Sequence, residues 1–399
     1  MVRTTCWYWN KIIYLTTQNI YQNESETFLH VRQCFFDVFN NSGYSYIQTP
    51  HLEHSELFEK SIGENSEIVS KQMYQFNDKG GRTLVLRPEG TSSIVRYHAQ
   101  NQKELTNQYS YFGQMFRYEN PQKNRYREFT QGGVEIIGNL DGFSDFQVIN
   151  DSIRFLNNLN LTFTLEINTI GSIDDRELYS KELYTYFKTH EDDLSDESRE
   201  KLELNTLRIL DSNNSLDSKV IQDAPVISNF INDISSQKYE SLKSLLSNNN
   251  INFKENTRLV RGLDYYNDLT FEFINDDGVV LGGGGRYDRL AEILNIGSFN
   301  GVGVAFGIER IMNIIDIKNK SPKVYIIGID IDKISRLCKL LDQNNINYSK
   351  PPRLSKINSQ FKNAKNLGAK YVVNTDEDTI KDLENNTSIK FNVEVLIDN

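Results

Sequence analysis

The sequence predicts an α+β fold, in which an antiparallel sheet with flanking helices and a helical insertion is followed by a small α/β domain. Three observations support this prediction. Short apolar runs bounded by turn residues recur before residue 310, residues 172–257 are charged and helical in pattern, and an alternating strand and helix pattern begins at Lys323. The 399 residues are enough for two or three cores.

The first predicted element is an amphipathic helix over residues 24–41. Gly43 follows it as a stop signal, and Tyr44–Pro50 then predicts a short strand closed by proline. The residues of the helix that share one apolar stripe are Phe28, Val31, Phe35, Val38 and Phe39.

Residues 116–138 predict an antiparallel hairpin lined with arginine. Two alternating runs flank a turn rich in Asn, Pro and Lys. The interleaved cationic and aromatic residues are Arg117, Tyr118, Arg125, Tyr126, Arg127 and Phe129. Guanidinium groups bind phosphate oxygens and aromatic rings stack on bases, so this surface suits a polyphosphate. A solvated hairpin with a polar outer face is the alternative. Further strands are predicted at 161–167, 269–274 and 279–282.

The sheet-forming region is interrupted by the helical insertion over about 172–257, and a polar linker at 315–322 separates it from the C-terminal part. We therefore expect one domain over 1–321 and a second over 322–399. The second has no acidic residue between Asp342 and Asp376. Its basic residues there predict either a face for local nucleic-acid docking or an ordinary solvated face: Lys350, Arg353, Lys356, Lys362, Lys365 and Lys370.

The composition of the chain argues against several classes of protein. A net charge of −10 argues against coating nucleic acid through the overall field. The three cysteines are far apart, which indicates neither a disulfide framework nor a zinc site and favours a reducing cytoplasm. We expect no membrane-spanning run and no export signal, and the absence of any Gly-Lys dipeptide excludes a Walker A loop. We expect no metal held by protein ligands alone.

Four segments, which follow one another in a specific order, contain residues suited to binding a ligand. Leu86–Thr91 places a carboxylate and a hydroxyl beside a proline-fixed turn, and Leu259–Tyr266 offers an arginine and paired tyrosines. Gly282–Asp288 begins with four glycines that allow close approach to the backbone, or form a bulge or tight turn. Gly301–Arg310 reads as a small-residue strand that leads into a helix carrying an arginine.

With these segments in this order, the chain resembles class II aminoacyl-tRNA synthetases, and specifically the bacterial type of histidyl-tRNA synthetase. The helix and strand through Pro50 resemble motif 1, residues 116–138 resemble motif 2, and 301–310 resemble motif 3. The segments 261–266 and 282–288 resemble the histidine-specific signatures. The similarity covers nearly all of residues 24–321 and is weaker beyond.

The resemblance implies residue roles in an ATP-dependent reaction. Arg117, Arg261 and Arg310 would be catalytic, and ATP would be held by Arg117, Arg125, Phe129 and Arg310. Histidine would be bound by Glu89, Thr91, Gln131, Glu135, Tyr266 and Arg261. Glu135 and Tyr266 would read the imidazole, and a site that hydrogen-bonds both ring nitrogens rejects other amino acids. Gln122 and Arg127 would contact the tRNA acceptor end.

The implied function is histidine–tRNA ligation: L-histidine and ATP give histidyl-adenylate, which is transferred to the 3′ end of tRNA(His). Mg²⁺ would accompany ATP, and a cytoplasmic homodimer would be the working form. The N-terminal segment Leu15–Asn19 and Asn124 depart from the family pattern, and the C-terminal domain is short.

One alternative is a catalytically silent regulatory subunit that senses histidine, and another is a synthetase-like sensor of uncharged tRNA. The retained arginines argue against both. Prolyl, threonyl and glycyl synthetases would share motifs 1 to 3 but not the 261–266 signature with Glu135.

Overall fold

The computed structural model describes residues 20, 23–63, 66–101, 105–119, 125–210, 212, 214–260, 263–315 and 323–397. The chain divides into two compact units, Met1–Ile315 and Asp316–Asn399. The predicted boundary at 321/322 lies outside the described residues and stays a prediction. In the described part of the chain, no helix is both long and apolar enough to cross a bilayer.

The first unit is built on a sheet of eight strands in the order β1-β5-β6-β11-β10-β9-β7-β8. The pairs β1/β5 and β7/β8 are parallel and the other neighbours are antiparallel. The strands are β1 (Ser45–Tyr46), β5 (Asn107–Phe116), β6 (Glu128–Gly138), β7 (Thr164–Thr169), β8 (Lys254–Glu255), β9 (Asn267–Ile274), β10 (Val280–Arg286) and β11 (Asn300–Gly307). The predicted α+β class with an antiparallel sheet is confirmed.

A smaller antiparallel sheet has the order β2-β4-β3, formed by Leu52–His54, Thr83–Leu86 and Gln75–Asn77 respectively. The strand predicted over Tyr44–Pro50 is shorter than expected. Only Ser45 and Tyr46 pair with β5, and Pro50, which has no N–H to donate, lies between β1 and β2.

Helices cover the main sheet. The helices before the insertion are α1 (Asn23–Asn41), α2 (Ser55–Ile62), α3 (Thr91–Asn101) and α4 (Gly142–Asn158), with a π-helical turn at Ile68–Gln72. The insertion contributes α5 (Ile173–Thr189), α6 (Asp196–Leu204), α7 (Asp217–Asp223) and α8 (Asp233–Asn248). After it come α9 (Leu290–Ile293) and α10 (Ile308–Met312).

The two faces of the sheet support two hydrophobic cores, and β6 shows how they are separated. Its even-numbered Val134 and Ile136 pack with the α1 stripe, including Phe35, in one core. The odd-numbered Ile137 packs in a second core with Tyr111 of β5 and with residues of α3 and the insertion. This alternation follows from the two-residue period of a strand.

The second unit is a five-stranded mixed sheet in the order β13-β12-β14-β15-β16. Its strands are β12 (Val324–Ile327), β13 (Tyr348–Ser349), β14 (Tyr371–Asn374), β15 (Thr379–Asp382) and β16 (Thr387–Lys390). Its helices are α11 (Ile331–Gln343), α12 (Ile357–Asn366) and α13 (Glu394–Ile397). The apolar stripe of α11, which includes Leu337 and Leu341, packs against β12 and β14.

Candidate active site

A cavity of about 410 Å³ lies beside β6, β10 and β11 in the first unit. The start of α3, the segment 263–266 and α10 complete its walls. The sequence-predicted residues that line it are Glu89, Thr91, Arg117, Arg125, Phe129, Gln131, Tyr266 and Arg310. Residues that are far apart in sequence are therefore brought to one site by the sheet.

Glu89 lies at the N-terminus of α3. Its carboxylate accepts hydrogen bonds from the backbone N–H of Thr91 at 2.6 Å and of Ser92 at 2.9 Å. Both carboxylate oxygens are thus fixed by N–H groups that would otherwise lack partners at the helix start. The result is a buried negative charge that is held in place before any ligand arrives.

Glu135 lies behind Thr91 rather than among the residues that form the cavity wall. Its carboxylate accepts hydrogen bonds from the Thr91 hydroxyl at 2.7 Å and the Tyr287 hydroxyl at 2.6 Å. Burial, together with the nearby charge of Glu89, raises the pKa of Glu135 to about 8, although the two hydrogen bonds oppose the rise. A Cβ at Gly303 would overlap this carboxylate, so glycine there makes room for it.

Three tyrosines form much of one wall: Tyr111, Tyr265 and Tyr266. Burial raises the pKa of Tyr111 and of Tyr265 well above the ordinary value, so both are neutral phenols. Gly90 and Gly133 pack against the Tyr111 ring so closely that a Cβ at either position would clash with it. These glycines therefore define the position of a ring that shapes the cavity.

Gln131 lies between Phe129 and Glu135 on the same face of β6. Within the described residues, its buried Oε1 has no hydrogen-bond partner. A buried amide oxygen without a partner is costly unless a ligand or water satisfies it. This atom is a strong indication that the cavity receives a hydrogen-bond donor.

The guanidinium groups of Arg117 and Arg310 line the cavity. The Arg117 Nε donates to the Pro88 carbonyl at 2.8 Å, and its guanidinium carbon lies 5.4 Å from the centre of the Phe129 ring. The Arg310 Nη1 donates to the Val280 carbonyl at 3.0 Å. A backbone carbonyl therefore orients each guanidinium at the cavity wall, where its planar fork suits the oxygens of a carboxylate or a phosphate.

The arginine-lined hairpin differs from the prediction, because its regular strands end at Phe116 and restart at Glu128. Among the described residues beyond them, the Arg117 N–H donates to the Arg127 carbonyl at 3.0 Å. Side-chain pairs also form there. Arg125 pairs with Glu119 at 3.4 Å, and the Arg127 guanidinium lies 3.7 Å from the Tyr118 ring centre.

Arg127 is absent from the residues that line the cavity. The predicted Arg261 and Gln122, and the departure at Asn124, fall outside the described residues, as does Leu15–Asn19.

The cavity also contains acidic residues that sequence analysis did not single out: Glu119, Glu272 and Glu309. Glu309 accepts a hydrogen bond from Thr130 N–H at 2.8 Å and is structural. No group of three or more His, Cys, Asp or Glu side chains arranged for a metal ion occurs within the described ranges. Mg²⁺ bound to a nucleotide needs only one or two carboxylates besides phosphates and water, and Glu119 and Glu272 fit that requirement.

Tyr111 and Glu272 were missed because a tyrosine or glutamate on a strand has no distinctive local pattern. Tyr287, which follows β10, was noted only as part of the segment 282–288. One signal did exist for Tyr111. Paired glycines within a strand indicate close approach by another group, and Gly133 lies directly opposite Tyr111 in the β5/β6 register.

Comparison with known proteins agrees with this geometry. The family model described as histidyl-tRNA synthetase matches residues 16–311. The chain is 37% identical over 380 residues to the chloroplastic histidine–tRNA ligase of Gracilaria tenuistipitata var. liui, covering 92% of this chain and 90% of that protein. It is also 37% identical over 378 residues to the histidine–tRNA ligase of a Nitratiruptor species, with 90% and 92% covered.

Among solved structures, apo S. aureus histidyl-tRNA synthetase superposes with a TM-score of 0.73 at 28% identity, covering 96% of this chain and 97% of that one. The family match and the identity over nearly the whole chain, together with the shared fold, confirm the resemblance. The chain belongs to the histidyl-tRNA synthetase family.

Proposed function

We propose that this chain, a histidine–tRNA ligase by family, forms histidyl-adenylate in the cavity beside β6 and then transfers histidine to the 3′ end of tRNA(His). In the first step a carboxylate oxygen of histidine attacks the α-phosphorus of ATP, and the bond to the bridging oxygen of pyrophosphate breaks. In the second, a terminal ribose hydroxyl of the tRNA attacks the histidyl carbonyl and AMP leaves.

The single observation that carries this proposal is that one cavity combines a fixed acidic group with guanidinium groups. Glu89 and the neutral acceptor Gln131 line the same cavity as Arg117 and Arg310, and the Arg117 Nε donates to the carbonyl of Pro88, which precedes Glu89. Histidine has a cationic amino group, and ATP has a polyanionic tail. The cavity therefore offers an acceptor for the amino group and cations for the phosphates, so that both substrates can bind in one place.

The amino-acid end supports histidine as the substrate. Glu89 and Thr91 would accept hydrogen bonds from the α-amino group, with Gln131 as a third acceptor. Tyr266 and Glu135 would hydrogen-bond the two imidazole nitrogens. Each Glu135 oxygen accepts one hydrogen bond, and in the ionised form each keeps capacity to accept another.

The nucleotide end supports ATP. Phe129 and the Arg310 guanidinium would enclose the adenine, while Arg117 and Arg125 would neutralise phosphate charge. Arg261 would act at the α-phosphate. Bound Mg²⁺ would supply further charge neutralisation of the phosphates, and Glu119 and Glu272, which line the cavity, would hold it. No protein nucleophile is required, because the substrate carboxylate is itself the nucleophile.

We also propose two sets of tRNA contacts. Gln122 and Arg127 would meet the acceptor end. In the second unit, the basic residues Lys350, Arg353, Lys356, Lys362 and Lys365 are exposed and would dock the anticodon. We further propose a cytoplasmic homodimer as the working form.

Amino-acid-dependent exchange between ATP and pyrophosphate tests the proposal. Histidine should support exchange in the presence of Mg²⁺, whereas proline, threonine and glycine should not. Arg261→Ala should keep the fold and lose most of the exchange activity, and a near-normal rate would overturn its assigned role. Tight histidine binding without exchange in the unmodified protein would instead favour the histidine-sensing regulatory subunit.

A further inference from the structure

The segment 263–266 forms one wall of the histidine end of the cavity. Leu263, Tyr265 and Tyr266 all line the cavity, although the segment belongs to no helix or strand. Its backbone must therefore be held by contacts other than a strand ladder. Those contacts come from the helical insertion and from the end of α2.

Arg176 of helix α5 supplies the first contact. Its Nη1 donates to the carbonyl of Asp264 at 2.9 Å and to the carbonyl of Tyr266 at 2.6 Å. One nitrogen thus joins two carbonyls on either side of Tyr265. Hydrogen bonds from a charged donor are about twice as strong as neutral ones, and this pair fixes the backbone spacing across the tyrosine.

Arg176 is itself fixed, because it lies in the first turn of α5. Ser172 and Asp175 form a reciprocal capping box at that helix start. The Asn232 amide, which precedes α8, also donates to the Asp175 carboxylate at 2.7 Å. Two insertion helices therefore determine where the guanidinium lies.

The Asp264 side chain supplies a second tether. Its Oδ1 accepts a hydrogen bond from the Asn205 amide at 3.1 Å and lies 3.6 Å from Arg208 Nη2, and both partners belong to the insertion. Gly63, at the end of α2, has a φ of +94°, and a Cβ there would overlap the same carboxylate. The segment is thus enclosed between the insertion and α2.

We propose that Arg176 is a positioning residue for histidine, through which the helical insertion sets the affinity and placement of the amino acid. This inference rests on the proposed function of the cavity. Arg176 does not line the cavity, and it acts by holding the backbone that carries Tyr265 and Tyr266. A displacement of about 1 Å in an active-site wall can lower catalytic efficiency by about 100-fold.

The test compares Arg176→Ala, Arg176→Gln and Arg176→Lys in histidine-dependent ATP–pyrophosphate exchange, with separate KM values for histidine and ATP. Arg199→Ala is the matched control. Arg199 also lies in the insertion, and it also donates to two backbone carbonyls, those of Glu191 and Asp192, at 2.9 and 3.1 Å. Thermal unfolding of each variant reports any purely structural effect.

We expect Arg176→Ala and Arg176→Gln to raise the KM for histidine by about 10-fold or more, with a smaller change in the KM for ATP. Arg176→Lys should recover part of the loss, because a lysine nitrogen can also donate to two carbonyls. Arg199→Ala should lower the melting temperature without changing either KM.

The inference is overturned if Arg176→Gln folds and its KM for histidine stays within about twofold of the unmodified protein. It is also overturned if Arg199→Ala raises that KM equally, since insertion stability alone would then explain the effect. If the unmodified protein itself shows no histidine-dependent exchange, the proposed function fails instead.

Discussion

Glu135→Gln tests the electrostatics of the proposed histidine-binding site through stability. The substitution keeps the size of the side chain and removes its charge. The amide can still accept a hydrogen bond from one of the two hydroxyl groups, those of Thr91 and Tyr287, and donate to the other. Packing should therefore change little, while the dependence of folding on pH should change greatly.

The magnitude follows from the pKa of Glu135. Burial raises it to about 8 in the folded chain, against an ordinary value of 4.5. Because of the raised pKa, the folded chain binds the proton more tightly than the unfolded chain does. The stabilisation that this proton contributes is therefore fully present below about pH 4.5, and it is lost as pH rises through about 8. The free energy of unfolding decreases by about 5 kcal/mol in all, and about 3 kcal/mol of this decrease occurs between about pH 6 and pH 9.

The assay is urea unfolding of the unmodified protein and of Glu135→Gln across that pH range. Every other titrating group is common to both chains, so the change in their difference isolates Glu135. The variant should gain about 3 kcal/mol relative to the unmodified protein as pH rises from about 6 to 9. Glu56→Gln, at a side chain that is 74% exposed, should show no such gain. Parallel stability curves for the unmodified protein and Glu135→Gln would refute the reasoning.

Three further changes test the site. Arg117→Lys keeps the charge but loses the planar guanidinium fork. It should lower kcat/KM in ATP–pyrophosphate exchange by about 100-fold, with little change in the histidine affinity measured by calorimetry. Unchanged exchange would contradict the proposed role of Arg117. Gly303→Ala places a Cβ against the Glu135 carboxylate and should destabilise the fold by about 3 kcal/mol in urea unfolding. Gly142 has open space around it, so Gly142→Ala should not destabilise the fold in this way. Tyr287→Phe removes a hydrogen bond that lowers the pKa of Glu135, so the loss of stability at alkaline pH should extend to higher pH. If the dependence of the unfolding free energy on pH does not change, this hydrogen bond has no influence on Glu135.

The elements that the sequence predicts well are those whose signal is local. The α1 stripe that includes Phe35 and Phe39 repeats at helical spacing, and the structure buries both residues. The small residues that begin at Gly301 predict a strand, and β11 forms there beside the glycine-rich β10. The resemblance then implied which residues form the site, and most of these residues line one cavity.

The parts that the sequence did not predict depend on partners that are distant in the chain. Nothing near Glu135 shows that Thr91 and Tyr287 will satisfy its carboxylate, because those partners are 44 and 152 residues away. The end of the β5/β6 ladder at Phe116 depends on which side chains pair beyond it. Arg176 likewise reads as an ordinary helical arginine until the carbonyls of Asp264 and Tyr266 are placed beside it.

The two-residue alternation of β6 has a consequence for how this chain can change over time. Phe129, which lines the cavity, and Glu135, which lies behind Thr91, are on the same face of the strand and about 20 Å apart along it. Val134 and Ile136 lie on the core face. Selection for a different substrate and selection for stability would therefore act on alternate positions of one strand. A single-residue insertion or deletion would exchange the two sets of positions, so β6 can evolve by substitution but not by change of length.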